Sequence, residues 1–116
     1  MALITSHILN SVSGMSAIGI RTQLFRIDEN DTRYQIFDVQ TDDEGRISQT
    51  VSSDYLNEDC EYELVFHTNE YFSDENNESL SSMSKVVLRF PIDDVTKRYH
   101  MPIMLAPHSY SVWSSH

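Results

Sequence analysis

Turn-forming clusters of Gly, Asn, Asp and Ser recur at short intervals along this 116-residue chain and limit the length of any regular element. Such clusters occupy residues 11–14, 28–31 and 41–45. Short segments between turns, with apolar and polar residues in alternation, are typical of β-strands. The spacing therefore predicts an all-β fold rather than a helical or α/β one.

The alternating segments predict about eight strands and at most one short helix. The predicted strands cover residues 2–8, 18–27, 34–39, 61–67, 85–90, 99–105 and 110–113. Residues 73–84 are polar and acidic and contain neither Gly nor Pro, so they are open to either a short helix or a loop. Many short strands in a chain of this length favour a β-sandwich, and we expect one domain spanning residues 1–116.

Composition argues against several classes of partner. Acidic residues outnumber basic ones 18 to 8, and the formal charge is -10, so we expect no nucleic-acid binding. No apolar run approaches the ~20 residues of a membrane-spanning helix, and we expect no membrane insertion. The single cysteine, Cys60, cannot form an intrachain disulfide, and the first residues show no secretory-signal pattern. Both observations predict a cytoplasmic protein.

Three polar residues are candidates for catalysis. His7, Arg46 and His100 lie at predicted strand ends or in a turn, and a β-sandwich can bring such positions together. A neutral imidazole can take a proton from water, and a guanidinium matches a carboxylate or an oxyanion. The set suits hydrolysis of an electrophilic carbonyl in an anionic small molecule, with no cofactor. From the residues alone, either histidine could instead be structural, Arg46 could be an exposed turn residue, and two histidines without a third ligand are a weak zinc site.

Three separated segments carry a resemblance to a known family. They are Ser6-His7-Ile8-Leu9-Asn10, Thr41-Asp42-Asp43-Glu44-Gly45-Arg46 and Tyr99-His100-Met101-Pro102-Ile103-Met104-Leu105. In order and spacing they resemble the transthyretin and 5-hydroxyisourate hydrolase family, with its Thr/Ser-His-Val/Ile-Leu-Asp/Asn, Thr-x-x-x-Gly-Arg and Tyr-His-Val-Pro-Leu-Leu-Leu segments. The resemblance covers nearly the whole chain and implies a transthyretin-like (prealbumin-like) β-sandwich of about eight strands with one short helix.

The chain departs from the family pattern in its last residues. Where the family's hydrolases carry Tyr-Ser-Thr-Tyr-Arg-Gly-Ser, this chain has Tyr110-Ser111-Val112-Trp113-Ser114-Ser115-His116. An aromatic residue is kept at Trp113, and Ser114 replaces the arginine.

The resemblance implies hydrolysis of 5-hydroxyisourate in urate breakdown, a part of purine metabolism, with water attacking a ring amide carbonyl. It assigns proton transfer to His7 and His100, and it assigns the substrate's negative charge and developing oxyanion to Arg46. It places His7, Arg46, Ser111 and Trp113 in contact with the substrate. Two alternatives remain open: a non-catalytic small-molecule-binding protein on the same fold, and a paralogue that hydrolyses a related cyclic amide.

The resemblance also implies a homotetramer, built as a dimer of dimers around a central channel. Alternate residues of the last strands are then candidate interface positions: Ile103, Leu105, Tyr110 and Val112. The same alternation is typical of an ordinary edge strand, so the sequence leaves the assembly open.

Overall fold

The alternating segments form ten strands in the computed structural model, which describes residues 1–73 and 80–114. In chain order they are β1 (Ala2–Asn10), β2 (Met15–Ser16), β3 (Arg21–Ile27), β4 (Arg33–Gln40), β5 (Arg46–Val51), β6 (Glu61–Phe66), β7 (Val86–Pro91), β8 (Arg98–His100), β9 (Ile103–Ala106) and β10 (Ser109–Val112). A 3-10 turn spans Ser53–Tyr55 and a four-residue helix, α1, spans Thr68–Tyr71. Within these described residues no helix has the length and apolar character needed to cross a membrane.

The strands form two sheets, and β1 organises the first of them. At nine residues, β1 is long enough to pair with different strands along its length. It pairs antiparallel with β5 and β2 along one edge and parallel with β8 and β9 along the other, and β10 extends the sheet beyond β9. The second sheet is antiparallel, in the order β4-β3-β6-β7.

The two sheets bury their inner faces in one shared core. Because side chains alternate between faces of a strand, residues two apart enter the core together. Ile4 and Ile8 do so from β1, and Tyr62, Leu64 and Phe66 do so from β6, all with essentially no exposed surface. Burying each such side chain stabilises the fold by roughly 1.5–3 kcal/mol. The predicted all-β sandwich is confirmed.

The observed elements differ from the predicted ones in several places. The sequence does not predict β5, because Ile47 and Val51 are its only apolar residues. The predicted strand 99–105 is two strands, β8 and β9, separated at Met101 and Pro102; proline has no N–H to donate to a ladder. The helix lies at Thr68–Tyr71, ahead of the predicted segment 73–84, of which residues 74–79 lie outside the described residues.

Two of the four candidate interface positions are also corrected. Ile103 and Leu105 are 1% and 0% exposed and belong to the core of the protomer, so the prediction that they face a partner is wrong. Tyr110 and Val112 lie opposite them on β10 and remain partly exposed, since β10 is the last strand of its sheet.

Candidate active site

The β1–β5 pair brings His7 and Arg46 together. The two residues are direct partners across the antiparallel ladder. Such partners share a face of the sheet, with Cβ atoms ~4.5–5.5 Å apart. His7 is partly buried, and Arg46 is exposed.

The turn before β5 fixes where Arg46 begins that strand. Gly45 adopts a φ of +73°, and its carbonyl accepts a hydrogen bond from the Ile8 N–H at 2.8 Å. The Asp42 carboxylate accepts hydrogen bonds from the backbone N–H groups of Arg46 and Glu44, both at 2.9 Å. These bonds lower the pKa of the Asp42 carboxyl group, so the carboxylate that holds the turn stays ionised well below neutral pH.

His100 joins the same face from the other side of β1. It lies opposite Thr5 in the parallel β1–β8 pair, and Thr5 is two residues from His7. The Thr5 hydroxyl oxygen lies 2.8 Å from His100 Nδ1, which fixes the orientation of the ring. Among residues 1–73 and 80–114, the other ring nitrogen, Nε2, has no hydrogen-bond partner. His7, Arg46 and His100 therefore lie on one outer face, on three adjacent strands.

The surroundings of His100 favour its neutral form. Burial, followed by the positive charge of Arg98 and then of Arg46 and His7, lowers the pKa of His100 below its ordinary value. An imidazole that is neutral at neutral pH can accept a proton from water. Its environment therefore suits a general base.

Arg46 is only weakly held by the protein itself. Its Nε lies 3.8 Å from Glu44 Oε2, and the two side chains are 48% and 79% exposed. Exposed ion pairs of this kind contribute little, at most about 1 kcal/mol. The guanidinium can therefore exchange Glu44 for an incoming anion.

Arg98 belongs to the same face and is the residue that the sequence analysis misses. It lies two positions before His100 on β8, and its Nε donates a hydrogen bond to the Thr5 hydroxyl oxygen at 3.2 Å. The available signal was its period-two spacing from His100, which places both side chains on one side of a strand.

Within residues 1–73 and 80–114, no hydrogen bond, ion pair or ring contact joins Ser111 or Trp113 to His7, Arg46 or His100. Ser111 lies opposite Met104 on β10, on the same outer face but two strands from β1. Trp113 follows the end of β10, where its backbone N–H donates a hydrogen bond to the Pro102 carbonyl oxygen at 3.4 Å. Its side chain lines a shallow groove with residues of β7, among them Leu88.

These elements agree with a known protein family. The family model described as HIUase/Transthyretin family matches residues 4–114, which include all three segments of the resemblance. The chain belongs to the HIUase/Transthyretin family.

Individual relatives of this HIUase/Transthyretin family member match over nearly their whole length. The 5-hydroxyisourate hydrolase 2 of Rhizobium meliloti (strain 1021) is 33% identical over 112 residues, covering 95% of this chain and 92% of that protein. The 5-hydroxyisourate hydrolase of Deinococcus radiodurans is 32% identical over 111 residues, covering 95% and 92%. The solved structure of Klebsiella pneumoniae 5-hydroxyisourate hydrolase matches with a TM-score of 0.78 at 26% identity, covering 100% of both chains.

The departure from the family's last residues lies beside His100. Ser114, which stands where the family's hydrolases have an arginine, lines a cavity of about 150 Å³ together with His100, Tyr99 and Phe90. Ser115 and His116 lie outside the described residues. A side chain at position 114 therefore borders the space next to the imidazole.

Proposed function

We propose that this member of the HIUase/Transthyretin family hydrolyses 5-hydroxyisourate. The observation that carries the proposal is the convergence of two imidazoles and a guanidinium, those of His7, His100 and Arg46, on one face of a sheet. Relatives named 5-hydroxyisourate hydrolase, at about a third identity over nearly the full length, support the choice of substrate.

The proposed reaction begins with a water molecule beside His100. The water oxygen bonds to a ring amide carbonyl carbon while the neutral imidazole takes one proton, and the carbonyl oxygen becomes an oxyanion. Arg46 stabilises that oxyanion and the negative charge of the substrate. When the intermediate collapses, the ring C–N bond breaks and the nitrogen receives a proton from an imidazolium. The product keeps the water oxygen in a carboxyl group. His7, opposite Arg46, shares these proton transfers with His100.

In this proposal Ser111 and Trp113 complete the substrate pocket. Assembly of several subunits brings these two residues close to the cluster of His7, Arg46 and His100. Exposed apolar side chains lie on the edge strand β10, directly after it and on the neighbouring strand β9: Tyr110, Val112, Trp113 and Met104. A homotetramer, arranged as a dimer of dimers, would cover this edge and bring the pocket walls together. Size-exclusion chromatography with light scattering tests the assembly, and a monomer at micromolar concentration would contradict it.

The cytoplasm is the proposed compartment. Cys60 is buried and unpaired, as is usual where thiols stay reduced. Cell fractionation with antibodies against the chain tests this location, and recovery outside the cytoplasm would contradict it.

The hydrolysis itself is tested by generating 5-hydroxyisourate from urate with urate oxidase and following its transient absorbance. With the purified chain present, we expect the absorbance to decay faster than it does spontaneously. A heat-denatured sample of the same protein serves as the control. Decay at the spontaneous rate would contradict the hydrolase and favour the two alternatives, a binding protein or a paralogue acting on a related cyclic amide.

A further inference from the structure

Arg98 differs from the other arginines in its pairing. Five of the six arginines in the chain lie within 4.0 Å of a carboxylate: Arg21, Arg26, Arg33, Arg46 and Arg89. Arg98 has no carboxylate partner in the part of the chain that the structure describes, although acidic residues outnumber basic ones 18 to 8. A guanidinium left without a counter-charge on so acidic a protein is available to an external anion.

The position of this free cation is fixed by the same side chain that holds His100. The Thr5 hydroxyl oxygen accepts a hydrogen bond from Arg98 Nε at 3.2 Å and lies 2.8 Å from His100 Nδ1. Both nitrogen atoms thus lie within 3.2 Å of one oxygen atom. Thr5 is 7% exposed, so its hydroxyl is a fixed point in the sheet rather than a mobile surface group.

The hydrogen bond to Thr5 uses only Arg98 Nε. The two terminal nitrogens of the guanidinium have no partner among the residues that the structure describes, and they form the planar pair of donors that binds a carboxylate or a delocalised anion through two parallel hydrogen bonds. Arg98 is exposed at the surface of β8, and on the same outer face His7 and Arg46 lie beyond Thr5. The two imidazoles therefore have one guanidinium on each side.

We propose that Arg98 is a second substrate-binding residue of this site, which holds the end of a flat anion next to His100 while Arg46 holds the end next to His7. The inference rests on the proposed hydrolase function and deepens it, because it names a second cation for the substrate. A protein with a formal charge of -10 repels an anion at long range, so two local cations offset that field better than one.

Three variants test the role of Arg98 in turnover. Arg98→Gln removes the charge and the paired donors, and we expect KM for 5-hydroxyisourate to rise about 10- to 100-fold, the usual cost of losing a charged hydrogen bond. Arg98→Lys keeps the charge without the planar donors and is expected to lie between Arg98→Gln and the wild type. Lys97→Gln is the matched control, since it removes the same charge at an exposed position one residue away, in the bend before β8. Its KM is expected to stay within about twofold of the wild type.

A binding measurement separates this inference from the proposed reaction. Titration calorimetry with urate, a flat anion that the reaction does not consume, is expected to give a Kd raised at least about tenfold by Arg98→Gln and unchanged by Lys97→Gln. If the wild type does not accelerate 5-hydroxyisourate decay but urate binding depends on Arg98, the hydrolase proposal fails and the anion site stands. Equal KM and equal urate affinity in Arg98→Gln and Lys97→Gln overturn the role of Arg98, whatever the wild-type activity. Matching melting temperatures of the two variants exclude misfolding as the cause.

Discussion

Gly45 connects the fold to the site, because it ends the turn that delivers Arg46 to His7. It has a φ of +73°, and a Cβ built there would lie 2.7 Å from the Ile8 carbonyl oxygen and 3.1 Å from the Ala17 nitrogen. In Gly45→Ala the left-handed backbone costs about 1–2 kcal/mol, and the backbone contacts add about 1–3 kcal/mol of crowding. We expect a loss of about 2–5 kcal/mol in the free energy of unfolding, or roughly 8–20 °C in melting temperature for a domain of this size.

Two other glycines provide matched controls for the crowding. Gly14 and Gly19 both have a φ of +76°, but a Cβ at either position has nothing within 4 Å. Their alanine variants carry only the backbone cost and should lose about 4–8 °C. The assay is thermal unfolding followed by circular dichroism, together with turnover of 5-hydroxyisourate below the melting temperature. A loss in Gly45→Ala no greater than that in Gly14→Ala or Gly19→Ala would refute the reasoning.

Three further predictions follow from burial and charge. Burial, and after it the positive charge of Arg21, lowers the pKa of His67, so the unfolded chain binds a proton at this residue more readily than the folded one. The free energy of unfolding should therefore fall as the pH drops below about 6.5, and it should fall less in His67→Gln. Thermal melts at several pH values measure both falls. Equal falls in both proteins would contradict this. Since the pKa of His100 is also lowered, kcat/KM should stay high until the pH is below about 6.5, and an acid limb above that value would argue against His100 as the base. Leu105→Ala should cost about 2–5 kcal/mol and Met104→Ala, at a 39% exposed neighbour, less than half as much; similar melting temperatures of the two would contradict the core position of Leu105.

Alternation and turn chemistry were enough to predict the sandwich. The segment of Tyr62, Leu64 and Phe66 alternates cleanly, and all three side chains are buried as that pattern indicates. The alternation pattern does not predict β5, because polar Ser48, Gln49 and Thr50 lie between its two apolar residues. That strand is stabilised by its ladder with β1, a long-range pairing that local pattern does not reveal.

Residues of the candidate site could be proposed from the sequence only where a motif marked them. His7, Arg46 and His100 each stand in a segment with a family resemblance, while Arg98 stands just outside one. Its place became visible through the register that sets His100 opposite Thr5, and register between distant segments cannot be read from composition. Ser111 and Trp113 mark another limit, because the homotetramer that is proposed to bring them to the substrate cannot be read from the local sequence pattern.

The central claim, that two imidazoles on one sheet face act together on one substrate, is tested most directly by kcat/KM for 5-hydroxyisourate in His7→Asn, His100→Asn and the double variant. General acid–base catalysis contributes about 10²- to 10⁴-fold, so each single variant should lose a factor in that range. Because both residues serve the same proton transfers, the double variant should lose little more than the worse single variant. Turnover at the wild-type level in either single variant, or losses that multiply in the double variant, would contradict the account.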